Sequence, residues 1–455
     1  MRAMTIVALG TGLLLAGPPA FAGLSEEEIA SLGGPKLTPI GAERAGNAEG
    51  TIPAWTGGVT EAPPGWKVGD PRVDPFRDDA KRFSIDRSNV DRYADKLSPG
   101  QVALIQQHEG YRMDVYPTRR SCGYPDWIYD ATRKNATSAE LDAEQVYLAK
   151  GWHPFLFPLP KNGAEAIWNH QYAFLFEGKI EHIALMTPTK GGAMTPTRMK
   201  LTYDSHMFDP KVGTFEEAKG RSASVLMERL APPRLAGQVV LVHEMVNEQR
   251  RAWLYNPGQR RVIRAPTVAY DNPFDGTESL MTNDQVRLFN GIIDRFDWKL
   301  VGKKELYVPY NAFQINHGQI KRYKEMFGPR YPRRDLIRYE LHRVWVVEAT
   351  RKKGKRHVFS KRILYLDEDS WTALVSDLYD DDDKLWRVME GLMVPIAEVP
   401  TCNMEGAFSY DLVAGRYVAD RVSAEEPEDD WLAGREGRIP EGIYTPGALR
   451  RKGVR

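Results

Sequence analysis

Apolar and aromatic residues concentrate in three short runs, 339–349, 358–366 and 371–378. β-Branched and aromatic side chains dominate them, which predicts strands. The first connection, RKKGKR, is basic and carries Gly354. The second is Asp367-Glu368-Asp369-Ser370, whose side chains favour turns. Connections this short exclude a parallel crossover, so the three strands are antiparallel neighbours. Their pattern is not a clean alternation. Val344 and Val346 fall on one face, and Trp345, Val347 and Ala349 on the other. Both faces are therefore expected to be covered.

The same reading extends along the chain. Ser25 and Glu28 form a capping box for a short helix that Gly33 can stop. Residues 34–100 are rich in Pro and Gly and lack periodicity, yet carry Ile52, Trp55, Trp66 and Phe76. That composition favours an extended arm packed along the body over a disordered linker. Ser98-Pro99 opens a helix, and a further helix is expected from Thr137 to Gly151. Strands are expected at 171–177, 180–186, 199–203, 239–246, 251–255 and 261–264, with the 251–264 pair turning at 256–259. Thr282 and Gln285 make a capping box for a helix over 282–296, with Val286, Phe289, Ile293 and Phe296 on one face. A basic helix follows at 319–327, and strands at 385–394 and 407–418. The predicted class is mainly β with helices (α+β), a large curved antiparallel sheet covered by a few helices.

Residues 1–22 read as an export signal: one Arg, an apolar run at 6–16, and Ala20-Phe21-Ala22. The expected location is periplasmic. Residues 23–100 would form the arm and 101–455 the sheet domain. Export permits a Cys122–Cys402 bridge, worth about 4–5 kcal/mol for so long a loop. The alternative is two buried thiols. Lys+Arg 62 against Asp+Glu 61 gives a net charge of +1. That leaves no electrostatic footprint for nucleic acid.

Catalytic signatures are missing. There is no G-x-S-x-G, no Walker A and no H-E-x-x-H, since His243-Glu244 is followed by Met-Val-Asn. His170, His182 and His206 read as satisfied histidines rather than a metal site. The acidic run 380–383 lacks the glycine and terminal Glu of an EF-hand, so it and Asp367-Glu368-Asp369 read as solvated turns. No catalytic residue, metal or cofactor is called, and the chain is not read as an enzyme. Aromatic placement is more informative. Trp253, Tyr255, Trp345, Phe359, Trp371 and Trp386 lie on or beside predicted strands. They fit either ordinary core packing or the wall of an apolar cavity, with Val286, Phe289 and Ile293 as the inner face of a lid. Arg250, Arg251, Arg260, Arg261, Arg264 and the 351–356 loop flank these strands. Most read as solvated, a minority as partners for an anionic headgroup or a protein.

Five ordered motifs carry a resemblance over essentially the whole chain: GNAEGTIPAWTGG (46–58), DPF (74–76), ADKLSPGQ (94–101), YNPGQRRVIRAP (255–266) and the block from Ser360 to Trp371. They closely resemble the exported proteobacterial proteins grouped as domain-of-unknown-function family 1329. That family is similar in fold to the lipoprotein carriers LolA and LolB, half-barrels around an apolar cavity. The resemblance implies a periplasmic carrier or accessory for a lipid-like or lipidated cargo. It also implies a partner, an inner-membrane RND/MMPL-type exporter or an outer-membrane protein. No lipid-anchoring Cys is present, which favours a soluble shuttle. The competing readings are a ligand-free adaptor of an envelope export complex and a periplasmic hydrolase.

Overall fold

The computed structural model describes residues 24–265, 270–440 and 442–452; the expected export segment lies outside them. Helix α1 (Glu26–Ser31) opens with the Ser25–Glu28 capping box. An irregular arm runs from it to β1 (Phe83–Ile85). Then come α2 (Pro99–Gln107), β2 (Met113–Val115), α3 (Asp126–Ser138), the small pair β3 (Glu140–Leu141) and β4 (Leu148–Lys150), and α4 (Gly163–Gln171). A first meander follows: β5 (Gly178–Met186), β6 (Thr197–Asp204), β7 (Arg221–Arg229), β8 (Val239–Met245), β9 (Arg251–Asn256) and β10 (Arg261–Arg264). The second comprises β11 (Phe296–Pro309), β12 (Arg338–Arg351), β13 (Lys361–Asp367), β14 (Ala373–Tyr379), β15 (Leu385–Ile396), β16 (Thr401–Asp411) and β17 (Arg416–Val422). Two single-turn helices, α5 (Gln314–His317) and α6 (Tyr323–Met326), separate β11 from β12, and α7 (Pro446–Lys452) follows β17.

Both meanders belong to one 15-stranded sheet. Its order is β11-β12-β13-β14-β15-β16-β17-β5-β6-β7-β8-β9-β10, with β2 beside the start of β12 and β1 on β2. Neighbours are antiparallel except β2 and β12. The sheet is not closed into a barrel. The β17–β5 joint is thin, with Ala419 opposite Met186 and Val422 opposite Ala184.

Both faces of the second meander are covered. One carries α2 and α6, packing Leu104, Ile105 and Met326 on Tyr339, Leu341, Phe408 and Tyr417. The other carries α3 and α4, packing Ile128, Ile167 and Trp168 with Val347, Leu364, Leu366 and Trp371. This explains the absence of alternation in β12: Val347 faces α4 while Val344 joins a cluster around Cys122 and Cys402. Helix α4 approaches β11 closely enough that a Cβ on Gly163 would lie 2.5 Å from the Lys299 nitrogen.

Several expected elements differ. The helix expected over 137–151 lies earlier, as α3. Pro125 is its N-cap residue, and beyond Ser138 the Asp142 carboxylate accepts from Val146 N and Tyr147 N to hold a turn. Residues 172–177 are irregular because α4 ends only at Gln171. The basic helix shrinks to α6. The strand expected at 407–418 is the end of β16 and the start of β17, separated by a turn that Asp411 closes on Val413 N and Ala414 N. Strand β7 was not anticipated.

The Asp367-Glu368-Asp369 turn is not solvated. All three are buried, at 0, 2 and 3 % exposure. Arg120 grips Asp369 through two bonds of 2.8 and 2.6 Å, while Arg343 and Lys303 hold Glu368 at 2.6 and 2.9 Å. The same arginines donate to arm carbonyls. Arg120 reaches those of Arg44 and Ala45, and Arg343 those of Glu43 and Ala45. The arm is thus docked through its backbone, with Ile40 and Ile52 buried beneath it. The 380–383 run is a turn closed on the Asp380 carboxylate, with 381–383 exposed.

Burial has a titration consequence at α2. Ser98 Oγ donates to Asp377 at 3.0 Å, and burial pushes the Asp377 carboxyl up to about 7. The folded chain therefore holds a proton that the unfolded chain releases above its ordinary carboxylate range. This group's contribution to stability falls as pH rises from about 4 through 7. Asp377→Asn is expected to gain about 2 kcal/mol relative to the parent between pH 5 and pH 8. Urea denaturation of both proteins at the two pH values checks it; parallel pH profiles would refute it.

Candidate ligand cavity

Side chains alternate along β5 to β9, and each set has a separate destination. Ile183, Met199, Leu201, Val225 and Met227 face Phe274, Leu280, Met281 and Val286. The opposite set, Leu226, Val239, Leu241 and Tyr255, packs with Trp253 and Leu449 of α7. The register makes the division explicit: Val240 pairs with Leu254 toward the first side, Val239 with Tyr255 toward the second.

Between β10 at one sheet edge and β11 at the other, residues 270–295 form a strap across the first face. The helix expected over 282–296 is absent from it. The Thr282–Gln285 capping box does form, but it starts only the 3-10 turn Asn283–Gln285. Side chains of β13, β15 and the β12–β13 loop capture the polar residues that would have continued a helix. Asp284 bonds His357 at 2.9 Å and pairs with Arg362, and Arg387 donates to Gln285 Oε1 at 3.0 Å. Arg362 holds the Asp284 carboxyl far below the usual carboxylate range despite its burial. Arg287 and Leu288 then take left-handed backbone, φ 57° and 68°, which ends any helix.

Between β5–β9, the strap and the end of α4 lies a cavity of about 610 Å³. This falls within the roughly 300–1,000 Å³ typical of small-molecule sites. Its lining is mainly apolar, with Val225, Met227, Val240, Val242 and Leu254 from the strands, Trp168 and Tyr172 from α4, and Phe274, Val286 and Ile293 from the strap. Polar groups lie among them. Arg229 pairs with Asp275 and Arg250 with Glu244, each at 3.2 Å, and Arg421 pairs with Glu181. Burial pushes the Asp420 carboxyl up to about 6.

Of the residues assigned to a lid, Val286 and Ile293 line this cavity. Phe289 does not. It packs on Trp298, ring centroids 4.9 Å apart, and its carbonyl meets His170 Nε2 at 3.1 Å. Because Ala373 N donates to His170 Nδ1, the Nε2 carries the proton. Burial keeps this histidine neutral, lowering it to about 3.

The six wall aromatics do not line the cavity. Trp253 and Tyr255 lie on the opposite face, one residue out of phase with Leu254. Trp345 and Trp371 stack at 5.8 Å, and the Trp371 indole donates to the Ile40 carbonyl of the arm. Phe359 meets Trp386 at 5.4 Å, and Trp386 donates to Asp411. These four fill the core between the sheet, α4 and the arm. The lining strand that sequence reasoning missed is β7. Its signal was present in RSASVLMER, where Val225, Met227 and Arg229 recur at period two.

His170, His182 and His206 do not converge. Among the described residues, His342, Asp367 and Asp369 have potential ligand atoms within 4.8 Å of one another. Asp369 is already held by Arg120, and Asp367 accepts from Tyr310 and Ser370 at 3.1 and 2.7 Å. The cluster lies at the junction stapled by the Cys122–Cys402 disulfide, whose Cα atoms are 5.3 Å apart. No helix among the described residues is long and apolar enough to cross a membrane.

An uncharacterized protein of Pseudomonas aeruginosa is 40 % identical over 468 aligned residues, spanning 99 % of each chain. Two crystal structures show weaker likeness, each at 15 % identity. A domain from Vibrio parahaemolyticus assigned to outer membrane lipoprotein sorting matches with a TM-score of 0.44, over 64 % of this chain and 98 % of that one. A DUF1329 family protein from Desulfovibrio piger matches with a TM-score of 0.43, over 63 % and 97 %. A family model described as protein of unknown function (DUF1329) covers residues 84–450. With that match and the full-length Pseudomonas relative, the chain belongs to the DUF1329 family.

Proposed function

We propose that the protein is a periplasmic carrier that holds a lipid-like molecule, or the acyl part of a lipidated polypeptide, in the cavity under the strap. The observation that carries this reading is the roughly 610 Å³ space walled by Val225, Met227, Val240, Val242 and Leu254. Hydration of such a surface is unfavourable, and each CH₂ moved into it contributes about 0.8 kcal/mol. Capture would proceed by apolar burial and release by movement of the strap, with no covalent step. An RND/MMPL-type exporter or an outer-membrane protein would be the exchange partner.

Filling the cavity tests the idea. Val225→Trp and Val240→Trp point large rings into the space. Native mass spectrometry of the parent should show a co-purifying lipid-sized adduct, and Nile red should fluoresce on binding. Both signals should fall at least tenfold in the tryptophan variants. A parent protein with neither adduct nor Nile red binding would refute the carrier reading.

A further inference from the structure

Among the described residues, four arginines border the cavity: Arg229, Arg250, Arg287 and Arg421. Three have a carboxylate partner. Arg287 has none. Its contacts are two long hydrogen bonds of 3.5 Å to the carbonyls of His170 and Gln171, at the end of α4, and its Nε is buried without a partner. The C-terminal carbonyls of α4 offset part of the cost of this charge. Burial and the nearby Arg421 guanidinium pull Arg287 down to about 10. A half-buried guanidinium whose Nε is cut off from water is costly unless something pairs with it.

The acids on the lining are mostly committed elsewhere: Glu244 to Arg250, Asp275 to Arg229 and Glu248 to Arg251. Burial keeps Asp420 protonated up to about pH 6. Charge complementarity therefore favours an anion over a cation as occupant. The strap also fixes where that anion sits, since Arg287 lies on it between Val286, which lines the cavity, and buried Leu288. A guanidinium offers a planar pair of N–H donors that matches a carboxylate or phosphate. The remaining wall is mainly apolar and suits a single hydrocarbon chain.

We propose that the cavity takes a single-chain amphiphile with an anionic head, carboxylate or phosphate, whose charge is received by Arg287; this rests on the carrier reading above. The head lies against the strap and the end of α4, and the chain runs along β6 to β9.

Displacement of Nile red at pH 5.5, where Asp420 keeps its proton, tests it, with dodecanoate, its methyl ester and a lysophosphatidic acid of the same chain length. The parent should bind dodecanoate or lysophosphatidic acid at least about tenfold more tightly than the ester, the scale of one charge-assisted hydrogen bond. The stronger of the two acids identifies the head. Arg287→Gln should abolish the preference while still binding the ester, which also reports that the variant is folded. Arg287→Lys should keep most of it. Equal binding of acid and ester by the parent, or a preference that survives Arg287→Gln, overturns the anionic site and leaves the carrier reading standing. Failure of all three ligands to displace Nile red overturns both.

Discussion

Replacing Cys122 and Cys402 together by alanine is expected to lower the unfolding free energy by about 5 kcal/mol. The two cysteines are separated by 280 residues, so their bridge constrains most of the unfolded chain. In the chain-entropy account the stabilisation grows with the logarithm of that loop. The native side adds to it. Both sulfurs are buried in a cluster with Leu306, Val308, Val344 and Met393. The bridge joins the segment after β2 to β16, so it ties the arm's docking region to the last meander. Urea denaturation of oxidised parent and double variant measures the difference, and a loss below about 1 kcal/mol would refute the account. A shielded bridge also predicts that native protein resists a reductant that acts readily once the chain is unfolded in urea.

Arg120→Met should cost about 3–5 kcal/mol, the scale of breaking a buried pair from one side. Methionine keeps much of the volume but removes the charge. Asp369, 3 % exposed, then loses its bidentate partner. Glu368 keeps Arg343 and Lys303, so the damage concentrates at Asp369 and at the arm. Carbonyls of Arg44, Ala45 and Pro53 lose a donor at the same time. Hydrogen exchange should therefore accelerate across residues 41–55 well beyond any change in the strands of the sheet. Uniform acceleration throughout the chain would show that the arm is not held by this arginine.

The strand-rich character and most strands were legible because β-branched and aromatic runs are long and their connections short. The Ser25 capping box and the Ser98-Pro99 pair marked two helix starts for a local reason: each signal lies within the first turn of its own helix. What escaped depends on distant residues. Asp284 and Gln285 look like helix-starting residues until Arg362 and Arg387 from two strands, and His357 from the β12–β13 loop, take their side chains. Asp367-Glu368-Asp369 looks like a wet turn until Arg120 and Arg343 cover it. The cavity was misplaced for a related reason. Large aromatics drew attention to Trp253 and Tyr255, yet on these strands the wall of the hollow is built from smaller neighbours such as Val225, Val240 and Leu254. A single-residue phase error in β9 is enough to move every side chain to the opposite face.

The strap splits the first face of the sheet into a solid half, filled by Trp345, Trp371, Phe359 and Trp386, and a hollow half under β5 to β9. Stability and cavity shape thereby reside in different places. Substitutions that reshape the hollow leave the solid half untouched, so the volume of the cavity can drift without renegotiating the survival of the fold.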